Sequence, residues 1–382
     1  MVSSSPQSYP LVAMTPLRLL PPSKRRPESG ALALRRRGVD HGWVVPTPAP
    51  LGLPSDAQAR WQACRPIVWR GALSGRLAPW RKQMRRTLAW FERLRCSEPF
   101  ASGVRRRMLD SAEFSPAGST VDGADSREIE KIWVDRFRGA RAVGRDLWAK
   151  LAWIAHDDRD PSLRIRFSWG SEALREWHTD PARFVHVDRY ADALFPECEI
   201  QAGCAELIRT IGELCGRPVR LSERIVYNNF PGGGAVFHHD AEPTQLGVSF
   251  AQLVGATAWL ALPREELADA VAKARRGWSK RRANQALDDT DEPKLYKLIN
   301  HSASFTARLH RRGCLFVLNP GDVVLLPTVP GTDTCWHSVF GIGEAPSLAH
   351  SYGVFARKKE SQTQGSGASA TSMRRSNQKK RP

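Results

Sequence analysis

Paired cysteine motifs are missing from this 382-residue chain. Its seven cysteines, at 64, 96, 198, 204, 215, 314 and 335, form no Cys-x-x-Cys and are odd in number. That argues against a disulfide framework or a structural zinc site, and for a reducing compartment. Long apolar runs are missing too: none approaches the ~20 residues that span a bilayer. The mildly apolar stretch 9–20 is followed by Lys24-Arg25-Arg26, whereas a secretory leader puts its charge first. The expectation is a cytoplasmic protein with no membrane contact. No internal repeat is visible, which leaves out solenoids and propellers.

Acidic residues are scarce as well, 39 against 57 Lys and Arg, for a formal charge of +18. Such a balance raises the idea of a nucleic-acid partner, but the charge is unevenly placed. Residues 1–107 carry a net +15, residues 357–382 a net +7, and residues 108–356 a net −4. The basicity therefore belongs to the two ends. Residues 1–107 are rich in Pro, Arg and Ser, with the clusters Arg35-Arg36-Arg37 and Arg105-Arg106-Arg107. They read as a largely disordered or partly helical extension, in which Trp61, Trp69, Trp80 and Trp90 could support a short helix or two. Alternatively, translation begins at Met84 or Met108. The Ser, Gly, Lys and Arg of residues 358–382 predict a disordered basic tail.

Between these ends, apolar residues from 126 to 158 recur mostly at helical spacing, and residues 163–169 alternate apolar and basic side chains like a strand. A helix is expected over 201–216, stopped by Gly216. Strands are expected next at 223–229, 247–253, 256–262, 314–318, 322–326 and 351–356. A polar insert, 264–312, interrupts them; its first half reads as helical and its second half alternates enough for a strand. Arg275, Arg276, Lys280, Arg281 and Arg282 crowd the insert around Trp278, either as a solvated face or as a lid over an acidic or nucleic-acid substrate. Helices first, then many short strands between Gly and Pro turns, predict an α+β chain with a mainly β core. Its form would be a double-stranded β-helix of the jelly-roll or cupin type, with a helical N-terminal preface (108–220) and a helical insert.

Chemistry concentrates in Tyr227-Asn228-Asn229-Phe230-Pro231-Gly232-Gly233-Gly234-Ala235-Val236-Phe237-His238-His239-Asp240. Residues i and i+2 of an extended segment share a face, so His238 and Asp240 can reach one metal while His239 points elsewhere. Two other His-x-Asp triplets compete. His178-Thr179-Asp180 runs into Pro181, which favours a turn, and His186-Val187-Asp188 would sit in a strand without a preceding glycine turn. His238 is set apart by the residues C-terminal to it: Gln252-Leu253-Val254-Gly255-Ala256-Thr257-Ala258-Trp259, then Gly321-Asp322 leading to Pro327, then Cys335-Trp336-His337. A third ligand at His337 would complete the two-His, one-carboxylate set that suits Fe(II) with open positions. His301 and His310 are alternatives for that third place, and Cys335 reads as a buried bystander.

This succession resembles the JmjC-type (cupin-like) Fe(II)- and 2-oxoglutarate-dependent oxygenases. Their pattern runs Gly-rich turn, His-x-Asp, Gln-x-x-Gly-x-(Lys/Arg)-x-Trp, then Gly-Asp, Pro and Trp-His. The Pro-Gly-Gly-Gly before His238 is most similar to the ribosomal-oxygenase branch, whose members hydroxylate protein side chains. The resemblance covers 221–357. It implies Fe(II) held by His238, Asp240 and His337, 2-oxoglutarate as cosubstrate, O2, and no catalytic side chain beyond the metal ligands. It also points to Tyr227 and Asn229 as cosubstrate contacts. The chain departs from the pattern at Thr257, where the family has a Lys or Arg that pairs with the distal carboxylate. A hydroxyl supplies no charge-assisted bond, so His350 and Arg357 enter as substitutes for the charge. Ala235 stands where Thr or Ser is common, and the 329–334 link to His337 is longer than usual.

The implied function is a hydroxylase acting on a protein side chain or a small molecule, with a homodimer and nucleic-acid contact through the basic tails left open. Two rivals are a cupin-like binding module without turnover and a nucleic-acid-binding protein acting through its ends. An oxygenase core would be expected to survive trimming of 1–107 and 358–382.

Overall fold

The computed structural model describes residues 17–23, 25–95, 114–122, 129–137, 140–141, 147–153, 160–169, 181–240, 244–289, 292–329 and 333–357. The triplet 178–180, the cluster 105–107, Met108 and the tail 358–382 lie outside them.

The described chain is α+β and dominated by antiparallel strands. In order they are β1 (Arg18–Leu20), β2 (Leu32–Arg36), β3 (Val39–Val45), β4 (Ile67–Trp69), β5 (Phe114–Asp122), β6 (Ile129–Phe137), β7 (Ala140–Arg141), β8 (Leu147–Trp153) and β9 (Leu163–Trp169). Then come β10 (Val219–Asn229), β11 (Gly234–His238), β12 (Gln245–Val254), β13 (Ala256–Pro263), β14 (Leu315–Leu318), β15 (Val323–Val329), β16 (Asp333–Ile342) and β17 (Ser347–Ala356).

The last eight strands pair in two runs. One is β10-β17-β12-β15 and the other β11-β16-β13-β14. Between the runs lies an apolar cluster that takes Phe250 and Val248 from β12, Leu326 from β15, Trp259 from β13, Phe316 from β14 and Val339 from β16. Alternation sends these residues inward from both sheets. The Trp259 ring meets Phe250 edge-on at 4.7 Å and stacks on Phe316 at 6.1 Å. Each such aromatic pair adds about 0.5–1.5 kcal/mol beyond area burial. On the outer face of β10, β17 and β12, a second apolar layer packs helices Pro181–Leu194 and Ala205–Cys215, bringing Tyr190, Leu207 and Ile211 against Val226, Ala251 and Tyr352. The latter helix ends as expected, with Gly216 in the left-handed region at φ 65, where a side chain would be strained.

Three expectations give way here. Within 126–158 the described residues are strands, not a helix: β6 and β8 extend the β10 sheet through β9, with Leu151 opposite Ile165 and Ile132 opposite Ala149. Short apolar runs rich in Ile, Val and Trp fit either period, and a neighbouring strand edge decides. The N-terminal preface is thus strands as well as helices. The second half of the insert is helical, Pro293–His301 and Ala303–Arg311, with no strand. Leu295, Ile299, Phe305 and Leu309 recur at helical spacing and are all buried. Glu292 and Ser302 cap the two helices by accepting from the Leu295 and Phe305 amides, which satisfies donors that a helix start leaves open.

The third correction concerns residues 17–95, which are folded. Strand β4 pairs with β15, and Trp61, Trp69, Met84, Trp90 and Phe91 are buried in the core on the outer face of the sheet. Proline and arginine lowered the apparent apolar content, while three buried tryptophans, Trp61, Trp69 and Trp90, each carry large burial. Many of the arginines are also engaged within the fold: Arg37 with Asp160, Arg60 with Asp56, Arg65 with Glu266 and Arg70 with Asp322. No described helix is long and apolar enough to cross a membrane.

Candidate metal centre

Strand β11 runs antiparallel to β16 with His238 directly opposite His337. Their rings sit 4.2 Å apart between centroids. Asp240 lies just past the end of β11, and its backbone carbonyl accepts from Thr328 Oγ1 on β15 at 3.1 Å, which fixes where its side chain emerges. The Asp240 carboxylate lies 3.9 Å from His238 Nε2 and 3.5 Å from His337 Nε2. Both spans are shorter than the ~4.2 Å set by two opposed metal–ligand bonds of about 2.1 Å. Ligating atoms of all three residues lie within 4.8 Å of one another.

The two imidazoles are oriented alike. His238 Nδ1 is 2.8 Å from the Val236 carbonyl, and His337 Nδ1 is 3.2 Å from the Cys335 carbonyl. A carbonyl can only accept, so Nδ1 carries the proton in each ring and Nε2 presents its lone pair to the centre. Burial, and then His238, push the His337 imidazole down to about 4 against the pull of Asp240; the ring is therefore neutral at pH 7. Desolvation alone would raise the Asp240 carboxyl, but His238 and His337, then Arg166 and Arg164, hold it below its ordinary value. Two imidazole nitrogens and one carboxylate are the donor set that suits a divalent transition metal with free positions. The residues present fit such an ion.

The glycine turn before β11 is needed for a steric reason. At Gly234 (φ 137) a Cβ would run into the Val339 carbonyl of β16, so a side chain there would separate the two ligand strands. Trp259 stacks on His337 with centroids 5.7 Å apart and planes 23° apart, closing one side. The other side faces a cavity lined by Arg164, Tyr227, Asn229, Phe250 and Ser351 together with the three ligands. Its free volume is narrow, about 20 Å3, room for about one water. The Ser351 hydroxyl donates to the Tyr227 hydroxyl at 3.3 Å, and Asn229 Oδ1 is buried with no partner.

Of the residues singled out for cosubstrate, Tyr227 and Asn229 reach this cavity and three do not. Thr257 is fully buried, donating to Gln252 Oε1 at 2.8 Å and accepting from Trp259 Nε1 at 3.0 Å. It holds the strand pair together instead of facing the cavity. His350 lies on the opposite face of β17 from Ser351, within the layer packed by helices. Arg357, just past β17, sits beside a separate hollow with Arg209 and Pro218. A basic side chain does line the cavity: Arg164 on β9, opposite Tyr227 in register. The alternation Leu163-Arg164-Ile165-Arg166-Phe167 marks a strand with one basic face; the pairing of β9 with β10 points that face inward.

The decoys resolve by position. His186 and Asp188 fall in the helix Pro181–Leu194, not a strand, and Asp188 accepts from Ser222 and pairs with Arg224. His301 meets the Tyr296 ring at a tilt and His310 bonds the Leu17 carbonyl, both away from the centre. His239 turns from His238 onto the Trp336 indole, 4.7 Å away. Cys335 is buried in the cluster between the sheets and gives His337 its carbonyl. Asp322 of the Gly-Asp pair ties a turn, accepting from the Gly71 and Asn319 amides and from Arg70. In the insert, Arg275 and Arg282 both stack on Trp278, and Lys280 pairs with Glu265, the pattern of a self-satisfied surface.

No protein-family model and no curated protein sequence matches this chain. Among solved structures it is similar to the Escherichia coli ribosomal oxygenase YcfD, at 15% identity and a TM-score of 0.30. That match covers 81% of this chain and 53% of YcfD, so the chain spans about half of that protein's length. YcfD in complex with cobalt and succinic acid matches at 15% identity and a TM-score of 0.29, over 81% and 54% of the two chains. A 2OG-Fe(II) oxygenase family oxidoreductase from Burkholderia pseudomallei matches at 11% identity and a TM-score of 0.29, over 81% and 96%. Superpositions this loose carry neither fold nor function across, and the reading rests on the side chains themselves.

Proposed function

We propose that this chain is an Fe(II)-dependent oxygenase of the double-stranded β-helix type, which uses a 2-oxo diacid and O2 to hydroxylate a C–H bond. The observation that carries the reading is the convergence of His238 Nε2, His337 Nε2 and an ionised Asp240 at the mouth of a cavity with one basic wall. The strand pairing supports it: numbering β10 to β17 as one to eight, the runs are 1-8-3-6 and 2-7-4-5, joined where β15 meets β16, the order of a jelly roll made from two Greek keys.

When bound, iron would supply the oxidative chemistry with O2 and the keto acid. The chain's own residues would hold and orient. His238, Asp240 and His337 would bind the metal from one side and leave the rest open. Arg164 would pair with the far carboxylate of the keto acid, helped by the hydroxyls of Tyr227 and Ser351, taking the role that Thr257 cannot fill. The apolar wall of Phe250, Trp259 and Val339 would exclude water. The cavity's narrowness requires Arg164 or Tyr227 to swing aside as the diacid enters. A protein side chain is the first candidate substrate and a small molecule the second.

Titration of the anaerobic protein with Fe(II) tests the metal, and the visible charge-transfer band on adding 2-oxoglutarate tests the cosubstrate. His238→Ala and Asp240→Ala should abolish specific metal binding. Arg164→Gln should keep the metal and weaken the keto acid by about 1.5–3 kcal/mol, roughly ten- to hundredfold, as a charge-assisted bond is lost. Metal binding that ignores the ligand variants would refute the oxygenase reading. A cupin-like binding module is the second reading, favoured by the narrow cavity; it would bind metal yet form no succinate.

A further inference from the structure

Arg36 is 3% exposed, and among the described residues no carboxylate bonds it. Burial, then the neighbouring Arg37, lower its pKa to about 9, so the guanidinium remains charged at pH 7. An interior cation without an anionic partner costs several kcal/mol, and an apolar residue of similar size would commonly be the more stable choice. Where its bonds end is therefore informative. It donates to Ser338 Oγ at 2.8 Å, to Asn300 Oδ1 at 3.4 Å, and to the Ile299 carbonyl and Thr306 Oγ1 at 3.3 Å each. Its charge lies over the rings of Phe340 on β16 and Phe237 on β11, 4.8 and 5.8 Å from their centroids.

Two of those partners reach onward to the ligand strands. Asn300 Oδ1 also accepts from the Phe237 amide at 2.9 Å, the backbone N–H of the residue before His238. Ser338, the residue after His337, donates to the Ala235 carbonyl on β11 at 2.9 Å. The next residue, Arg37, grips the same strand at its start. It pairs with Asp160 at 3.1 Å and donates to the Gly234 carbonyl, while Asp160 accepts from the Gly234 amide at 3.0 Å. The tip of the β2–β3 hairpin thus holds β11 at both ends and β16 beside its histidine.

We propose that Arg36 is a positioning residue for the metal centre, locking the backbone beside His238 and the residue beside His337 to one buried cation through Asn300 and Ser338. This rests on the metal reading above. Groups that orient ligands without touching the metal commonly carry about ten- to hundredfold in metal affinity.

Cobalt titration of the full chain, read by ligand-field absorption, tests it alongside thermal unfolding. Arg36→Met and Asn300→Leu should weaken Co(II) by about ten- to hundredfold and change the band pattern at temperatures where circular dichroism shows intact fold. Asn300→Asp should keep wild-type affinity and bands, because its oxygen accepts both bonds and gives Arg36 an anionic partner. A merely structural role would move the unfolding temperature and leave the bands alone. If Asn300→Leu does not fold, Ser338→Ala removes the other tie and should also lower affinity. Folded variants with wild-type affinity and bands, or an Asn300→Asp as weak as Asn300→Leu, would overturn the proposal. Wild-type cobalt binding that is indifferent to His238→Ala would instead bring down the metal reading, and this proposal with it.

Discussion

Replacing His350 by leucine should make the protein less sensitive to acid while leaving its metal centre intact. The imidazole is 1% exposed, between Val226 and Ala251 in neighbouring strands, and neither ring nitrogen has a partner among the described residues. Burial, and then the charge of Arg224, push its pKa down to about 3 from an ordinary 6.5. In the folded chain the ring stays neutral well into acid, whereas in the unfolded chain it takes a proton near pH 6.5. The unfolded state therefore gains a proton that the folded state refuses, and stability falls as pH drops below 6.5 until about pH 3. At pH 5 the gap is about 1.5 pH units, or about 2 kcal/mol; at pH 7.5 it is close to zero. Urea unfolding at pH 7.5 and pH 5.0 should show His350→Leu losing about 2 kcal/mol less than wild type between the two conditions. Other titrating groups, including the similarly depressed His41, are common to both proteins and cancel. Equal losses would refute the linkage. The variant should also bind Co(II) as wild type does, because the ring faces the helical layer; a tenfold loss would return His350 to the site.

Thr257→Val should cost about 1–3 kcal/mol in thermal unfolding, since Gln252 and the Trp259 indole each lose a buried partner, yet leave keto-acid affinity unchanged in the charge-transfer titration. Removal of residues 1–95 should leave no soluble folded core: it exposes the partners of Trp61, Trp69, Trp90 and Phe91, each worth about 1.5–3 kcal/mol when buried, against a total stability of about 5–15 kcal/mol. A truncated protein with a cooperative melt and intact metal binding would contradict that.

Local chemistry makes much of this protein readable from its chain. Six of the eight strands from β10 onward alternate or run apolar between Gly and Pro turns, so their existence is visible in period and punctuation, whereas β16 and the true extent of β11, which ends at His238, are not. His238 and Asp240 are legible because a two-residue spacing on extended backbone puts them on one face, and His337 because it comes after the Gly-Asp strand and Trp336. Gly216 stops its helix for a purely local reason. The insert's second half misleads because its few apolar positions suit either period until its caps are seen.

What the tertiary structure alone decides are the choices that depend on a distant partner. Residues 129–137 and 147–153 become strands because β9 offers an edge to pair with. Residues 17–95, arginine-rich and disordered by composition, are ordered by burying their tryptophans against the central sheet and by finding acidic or carbonyl partners far along the chain. Thr257, His350 and Arg357 are close in sequence to the ligands, yet the basic wall of the cavity is Arg164, because register with β10 turns that residue inward. Hydrophobic period and turn chemistry act within a few residues and can be read along the chain. Register, ion pairing and the facing of sheets act between residues as much as 302 positions apart, as Arg36 and Ser338 are, and exist only once the chain has folded.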